Sequence, residues 1–563
     1  MRDKTKSTFL SGVLLLTLST VSVKIIGLIY KIPMLAYLGS EGMGYFNSAY
    51  EIYALFCVIS TAGLPVALSV LISGAVARGE EKSVVRIYRA AMLIFLCIGV
   101  LGSGVMVLFA RQFCELIQSE NAYYSILAIA PTVFLICISS ALRGFFQGYQ
   151  QMLPTAVSQI LESLGKLLFG LLFAYIALKK GYGTPVVAAF AGIGLTLGTL
   201  LSVVYLMIKK VRFHKKQEKS RSRRTLPSYQ GIWKSLARLA IPMTLGASLV
   251  SVTKLIDMTM ILRRLQAIGY SEVLANKAYG SYTTLALSVF GLLPTLLNSI
   301  ALPLVPILSG AIAAGETQKQ QHLIRTTYRL TAIFAIPAAL GVSAFAEPVL
   351  RLLFGYDPEA VSLAAPLLAY LGVSVFLSCM ITATNSILHA YQIVNRPILS
   401  MLAGAIVKIV SAYFLIGNPR IGLFGAPIST FLCNLTVVLL NLCFAAKLYD
   451  IPDMLSFFIR PLLAATVSVG AGFGAYRYLV IQFGERSLFA IGCIGGVVGL
   501  YLILACVTGS VSEDDVRSMP MGDKLYRILS RLHLIRKKSY RKDVKNSNEA
   551  NRNDQEIDRT VNL

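Results

Sequence analysis

Ser73-Gly74-Ala75-Val76-Ala77-Arg78-Gly79-Glu80 returns later in the chain as Ser309-Gly310-Ala311-Ile312-Ala313-Ala314-Gly315-Glu316. Two further signals recur in the same order. Tyr149-Gln150 followed by Lys166 returns as Tyr391-Gln392 followed by Lys408, and Gly183-x-Pro185 returns as Gly425-x-Pro427. Each signal is weak alone. Three of them in order, at nearly one spacing, mark an internal duplication.

The duplicated segments lie in a very apolar chain. Of 563 residues, 56% are hydrophobic and 14% charged, and the mean hydropathy is +0.68. A soluble domain needs more polar surface than this. Apolar segments run almost without pause from Phe9 to Val507. A spanning helix takes about 20 mainly apolar residues. The segments 8–30, 45–73, 87–110, 122–143, 155–178, 185–208, 237–262, 279–305, 328–346, 361–388, 398–417, 424–446, 457–480 and 487–508 meet that need. They are too long for barrel strands, and lipid leaves backbone groups no water, so each reads as a helix. The basic, apolar N-terminus has no small-residue cleavage site after it and reads as the first helix rather than a leader.

The expected fold is therefore an all-α membrane protein with about fourteen transmembrane helices. The repeated motifs follow the second span of each half, surround the fourth and fifth, and open the sixth. Each half then holds six spans. An even number makes both halves enter the membrane from the same side, related by an axis along its normal. The reading divides the chain into an N-terminal six-helix lobe (1–208), a basic linker (209–236), a C-terminal six-helix lobe (237–447), helices thirteen and fourteen (448–510) and a basic tail (511–563). Duplication can serve packing alone, but two pseudo-symmetric lobes around a central cleft suit alternating access.

Most of the 52 basic residues fall on one side of this topology, which marks that side, with both termini, as cytoplasmic. Two segments dominate. One contains Lys209-Lys210, Lys215-Lys216 and Arg223-Arg224, and the other, after Ser510, contains Arg536-Lys537-Lys538 and Arg541-Lys542. Much of the net charge of +25 is thus topology. These runs suit anionic lipid headgroups; because they flank membrane spans, nucleic acid is not the expected partner. In the tail, residues 523–536 have the pattern of a basic helix lying on the inner leaflet, and the chain from Val544 reads as disordered.

The informative charges are those left inside the membrane, where an ionisable group costs about 2.5–3.5 kcal/mol and should face protein or water. Lys24 and Lys31 share one face of the first span. Glu51 lies in the second. Glu162 and Lys166 in the fifth, and Lys254 and Asp257 in the seventh, are spaced for local ion pairs. Lys408 lies in the eleventh and is the repeat equivalent of Lys166. Lys31 could instead snorkel to the interface, and Lys166 could simply neutralise Glu162. Lysines from both lobes around one cleft would favour cargo bearing phosphate or pyrophosphate. Gly63, Pro65 and Pro303 interrupt the second and eighth spans and permit gating bends.

Several chemistries lack their signals. No GxxxxGK[ST] loop is present, which argues against ATP hydrolysis. The four histidines are scattered, and the nine cysteines show no metal spacing and read as free thiols. No cofactor is expected. Short outer loops argue against a membrane glycosyltransferase.

Three motifs carry a resemblance. They are Lys24-Ile25-Ile26-Gly27-Leu28-Ile29-Tyr30-Lys31-Ile32-Pro33, Leu38-Gly39-Ser40-Glu41-Gly42-Met43-Gly44, and Ala62-Gly63-Leu64-Pro65-Val66-Ala67. Together they resemble the stage V sporulation protein B and lipid II flippase group of the multidrug/oligosaccharidyl-lipid/polysaccharide exporter superfamily, over residues 7–510. The resemblance implies a two-lobed flippase in the bacterial cytoplasmic membrane. Its cargo would be an undecaprenyl-pyrophosphate-linked oligosaccharide, foremost the peptidoglycan precursor lipid II. It implies that Lys24, with Lys31 beyond it, meets the pyrophosphate, and that the last two spans help form a groove for the polyprenyl tail. The chain departs from some lipid II flippases in having no arginine between Tyr279 and Gly291.

The expected function is a transporter rather than an enzyme. Lys24, Lys31, Lys166, Lys254 and Lys408 would bind the headgroup. Glu51, Glu162 and Asp257 would balance charge or couple to Na+ or H+, with membrane potential as the other source of work. A monomer is expected. The alternatives are export of another lipid-linked polysaccharide precursor, or cation-coupled drug export, which would call for an acidic cleft.

Overall fold

The structure, a computed structural model, describes residues 2–214, 228–301, 304–393, 395–449, 454–484 and 486–510. The N-terminal half runs through α1 (Arg2–Thr61), α2 (Leu64–Ala77), α3 (Glu81–Leu108), the short α4 (Ala110–Ile117), α5 (Tyr123–Gly148), α6 (Leu153–Lys179) and α7 (Thr184–His214). The C-terminal half begins with α8 (Tyr229–Ala267) and α9 (Glu272–Ser281), a π-helical turn (Tyr282–Ala286), α10 (Leu287–Ala301) and α11 (Leu304–Ala313). It continues with α12 (Thr317–Ala344), the short α13 (Ala346–Phe354), α14 (Pro358–Ala390), α15 (Asn395–Ile416) and α16 (Gly425–Ala445). Last come α17 (Met454–Phe483) and α18 (Ser487–Val507). The surface-helix expectation for 523–536 and the disorder expected beyond 544 lie outside the described residues, as does Pro303.

The long helices follow from the apolar runs, whereas α4, α9 and α13 lie almost wholly between the expected spans, and the count of spans differs from the expectation. Twelve described segments are long and apolar enough to cross a membrane, against about fourteen expected. Two features account for the difference. The expected first span and most of the second share α1, a 60-residue helix kinked at Gly39 (φ 64°). The expected eighth span, 279–305, is divided by the π turn, so no single α-helix covers it.

The duplication reappears as matched helix ends. α3 and α12 each have 28 residues. Before them, Gly79 and Gly315 adopt φ of 70° and 69°. The amides of Gly79 and Glu80 bond back to Val76 and Ala75, and those of Gly315 and Glu316 to Ile312 and Ala311. Both turns therefore end their helices through a left-handed residue that satisfies the last carbonyls. At the second motif, Gln150 and Gln392 take φ of 58° and 60° at the ends of α5 and α14. A non-glycine residue pays about 1–2 kcal/mol for that conformation. Its presence at equivalent positions is a structural signature of the repeat.

The largest buried cluster joins the halves, setting Tyr30, Met34, Tyr45 and Phe46 of α1 among Tyr279, Tyr282 and Leu285. Hydrogen bonds between the lobes concentrate at the end of the bundle opposite the α7–α8 connection, the far end. There Ser40 Oγ donates to Asp357 Oδ2 (3.1 Å), the Asn121 amide to Glu272 Oε1 (3.0 Å), Gln266 Nε2 to the Gln118 carbonyl (2.7 Å), and Tyr356 Oη to the Ile32 carbonyl. Ser119 Oγ donates to buried Asn276 Oδ1 (3.2 Å). This closure needs a very close approach of α1 and α9. A Cβ at Gly280 would lie 1.9 Å from the Ser40 carbonyl oxygen. Gly280→Ala is therefore expected to cost roughly 1–3 kcal/mol, the usual penalty for overpacking, seen as a lower thermal midpoint of the purified protein.

α17 and α18 pack beside α12, where Tyr501 Oη donates to the buried Ile333 carbonyl (2.7 Å). Between them runs an apolar groove of about 490 Å³, lined in part by Ala471, Ala475, Leu479, Leu488, Gly492 and Gly496.

Candidate functional site

α1 carries Lys24 and Lys31 on one face, and the two have different surroundings. Lys24 is exposed and lies within electrostatic range of Lys254, also exposed, on α8 of the other lobe. Lys31 crosses to the C-terminal lobe. Its Nζ donates to Ser288 Oγ (2.7 Å) and to the Thr283 carbonyl (3.4 Å). A π turn shifts the backbone register from i+4 to i+5, and Thr283 lies within it. Asn47 Nδ2 of α1 reinforces the junction by donating to the hydroxyls of Thr283 and Thr284, each at 2.8 Å. Lys31 is thus tied across the lobe boundary and does not snorkel to the interface.

The equivalent lysines Lys166 and Lys408 have diverged. Lys408 Nζ donates to Asp257 Oδ2 at 3.0 Å, with both side chains mostly buried. Lys166 of α6 faces aromatic rings instead. Its Nζ lies 4.6 Å from the Tyr50 ring centroid, 5.0 Å from that of Tyr30 and 5.7 Å from that of Phe46. Ring faces attract an ammonium through their quadrupole without neutralising it.

The local ion pairs suggested by spacing do not form among the described residues. Glu162 pairs with Arg143 of α5 (2.7 Å) and not with Lys166. Asp257 pairs with Lys408 and not with Lys254. Neighbouring helices supply better geometry than the same helix. Arg143 offers a planar fork, donating from Nε to Ser158 Oγ (2.9 Å) and from one terminal nitrogen to Glu162 and Ser202 Oγ (3.2 Å). The spacing also concealed that Glu162 had a partner. Arg143 stands at the edge of the expected span 122–143, but α5 continues to Gly148 and carries it inward. Its repeat equivalent, Asn385, accepts from Asn441 of α16 (2.8 Å), a neutral contact at a position where the first lobe has an ion pair.

Glu51 lies within electrostatic range of Lys31, Lys254 and Asp257, and Lys31 within range of Lys24, Lys166 and Lys254. The structure therefore gathers Lys24, Lys31, Lys166 and Lys254 around one boundary between the lobes, while Lys408 is paired with Asp257 of its own lobe. It separates them into tied (Lys31), neutralised (Lys408), ring-boxed (Lys166) and exposed (Lys24, Lys254). Such a site can hold an anion. Among the described residues no group of three or more His, Cys, Asp or Glu is placed for a metal ion.

Of the interruptions, Gly63 lies in the bend between α1 and α2, with Pro65 in the first turn of α2. A Cβ at Gly63 would lie 2.3 Å from the Ala240 carbonyl of α8. Glycine here permits the second interlobe approach, away from the far end. Asn47, Tyr50, Arg143, Thr283 and Ser288 are site residues that the sequence did not single out. Only Arg143 left a trace there, as a lone arginine at a span edge.

Comparison with known proteins agrees with this architecture. Residues 9–312 match the family described as "Polysaccharide biosynthesis protein", and residues 242–414 match the family described as "MatE". Stage V sporulation protein B of Bacillus subtilis (strain 168) is 25% identical over 530 residues, covering 92% of this chain and 99% of that protein. Lipid II flippase MurJ of the same organism is 25% identical over 419 residues, 72% of this chain and 76% of that one. The solved structure of "Lipid II flippase MurJ, inward closed conformation" superposes with a TM-score of 0.65 at 15% identity, covering 88% of this chain and 98% of that one. That likeness establishes the two-lobed fold. The relatives whose names state an activity are flippases and transporters, not enzymes. This chain is a multi-pass membrane protein that belongs to the polysaccharide biosynthesis protein family.

Proposed function

We propose that the protein is a flippase that moves an undecaprenyl-pyrophosphate-linked oligosaccharide, foremost lipid II, across the bacterial cytoplasmic membrane. The observation that carries this reading is Lys166, an ammonium inside the bundle among three rings, with no ion pair among the described residues. A charge so placed is costly and repays its cost when an anionic group enters. Lys24 and Lys254, exposed on opposite lobes, would meet the pyrophosphate first. Lys31 would release Ser288 and Thr283 to join them. Asp257 is occupied by Lys408 and balances charge, as Glu162 does for Arg143. Glu51 is the remaining carboxylate available for coupling to Na+ or H+, alongside membrane potential.

The far-end closure gives a direction. With the end bearing the basic linker on the cytoplasmic side, as the basic residues indicate, the cleft in this conformation would be reached from the cytoplasm. Gly63 and Pro65 would allow α2 to reorient against α8 when access alternates. The groove between α17 and α18 suits the polyprenyl chain. The protein would act as a monomer, without cofactor or nucleic acid.

Lys24→Ala is expected to abolish complementation of a flippase-depleted strain while the protein still inserts at wild-type level, checked by growth and membrane immunoblot. Full complementation would remove Lys24 from the cargo site. To identify the cargo, lipids that co-purify with the protein can be read by native mass spectrometry. The expected species is a polyprenyl pyrophosphate bearing sugar; its sugar mass separates lipid II from other polysaccharide precursors.

A further inference from the structure

A second cationic cluster lies outside the cleft, at the end of the bundle where α7 stops and α8 starts. Early α3 contributes Arg86 and Arg89, the last turns of α7 contribute Lys210, and the first turns of α8 contribute Tyr229 and Trp233. The Arg86 guanidinium carbon lies 4.6 Å from the Tyr229 ring centroid, while its Nε is buried without a hydrogen-bond partner among the described residues. Lys210 Nζ lies 3.2 Å from the Tyr88 centroid and 5.4 Å from that of Phe145. Arg89 is exposed and within electrostatic range of Lys210. Trp233 Nε1 donates to the Ala90 carbonyl (3.2 Å), which fixes the start of α8 to α3.

The cluster holds no ion pair to Arg86, Arg89 or Lys210 among the described residues. Nearby acids are engaged: Glu80 pairs with Arg78 (3.2 Å), and Glu81 accepts from Tyr149 Oη (2.8 Å). A solvated basic rim would explain exposed Arg89 alone. It does not explain two further cations packed on ring faces and a buried guanidine nitrogen left unbonded, since buried donors normally find acceptors. Tyrosine and tryptophan beside them are the residues that sit at headgroup level in a bilayer. Three positive groups at that level, with aromatic walls, match a phosphate borne by a lipid.

We propose that Arg86, Arg89 and Lys210 bind the phosphate headgroup of an anionic lipid, and that the bound lipid holds the start of α8 against α3. Because α3 and α7 belong to one lobe and α8 opens the other, occupancy would stiffen the hinge between them. The inference rests on the membrane embedding and not on the identity of the cargo.

The test uses the full chain in mild detergent, offered equal amounts of phosphatidylglycerol and phosphatidylcholine with identical acyl chains, with retained lipid counted by native mass spectrometry. Phosphatidylglycerol should be preferred. The preference should fall roughly fivefold for each charge removed in Arg89→Gln and Lys210→Gln, and stay unchanged in the charge-matched control Lys179→Gln/Lys180→Gln at the far end. Phosphatidylglycerol should also slow amide exchange across residues 229–236 in the wild type and not in the Arg89→Gln/Lys210→Gln variant. Equal loss in the control, or unchanged retention in the cluster variant, would overturn the site. Displacement of the lipid by millimolar inorganic phosphate would reassign it to free anions. Lipid-independent exchange would overturn the clamp.

Discussion

Lys166→Met is expected to reduce translocation by about 30-fold or more while leaving the protein as stable as the wild type. The rate follows from the chemistry proposed for the site: truncating one partner of a desolvated charge contact costs about 2–5 kcal/mol. The preserved stability follows from the surroundings. Methionine has nearly the length of lysine, and its sulfur packs well against aromatic rings, here those of Tyr30, Phe46 and Tyr50. Lys408→Met, the same change at the equivalent position, should behave differently. It strips the partner from Asp257, whose other carboxylate oxygen is already buried without a hydrogen bond among the described residues. It should therefore lower the thermal midpoint, and Lys408→Met/Asp257→Leu should restore most of it. If the two lysine variants lost transport and stability in parallel, the division of roles between the lobes would be wrong.

The second large effect concerns Arg143. Arg143→Ala leaves the Glu162 carboxylate without its counter-charge, and Ser158 and Ser202 without their shared donor. Breaking one side of a buried pair costs about 3–5 kcal/mol. The single variant should unfold at markedly lower temperature or accumulate poorly in the membrane. Arg143→Ala/Glu162→Ala removes the uncompensated charge and should recover most of the loss. Both are read by thermal unfolding in one detergent. A double variant no better than the single one would show that Arg143 acts through packing rather than charge.

The architecture was largely legible in the sequence because its determinants are local and periodic. The lengths of the apolar runs specify helices, and the repeated Ser-Gly-Ala and Tyr-Gln segments specify matched turns, which the structure shows as paired left-handed residues at Gly79 and Gly315 and at Gln150 and Gln392. The pairing of charges was not legible. Spacing on one helix suggested Glu162 with Lys166 and Lys254 with Asp257, whereas the actual partners come from neighbouring helices, a matter of helix rotation and depth that one sequence does not encode locally. The π turn was hidden for a similar reason. Tyr282–Ala286 contains no Gly or Pro to mark a change of register, and its tertiary bonds from Lys31 and Asn47 reveal its role.

The central claim is that this lysine-lined boundary carries a lipid-linked pyrophosphate from one leaflet to the other. The most direct test places purified wild-type protein and Lys166→Met in proteoliposomes loaded with lipid II, with membrane potential imposed. Lipid reaching the opposite leaflet is measured by an enzyme that acts on it only there. Wild-type vesicles should expose lipid II far faster than protein-free vesicles, and Lys166→Met vesicles should stay close to the protein-free rate. Wild-type vesicles that match protein-free ones for lipid II, yet transport an organic cation, would contradict the account.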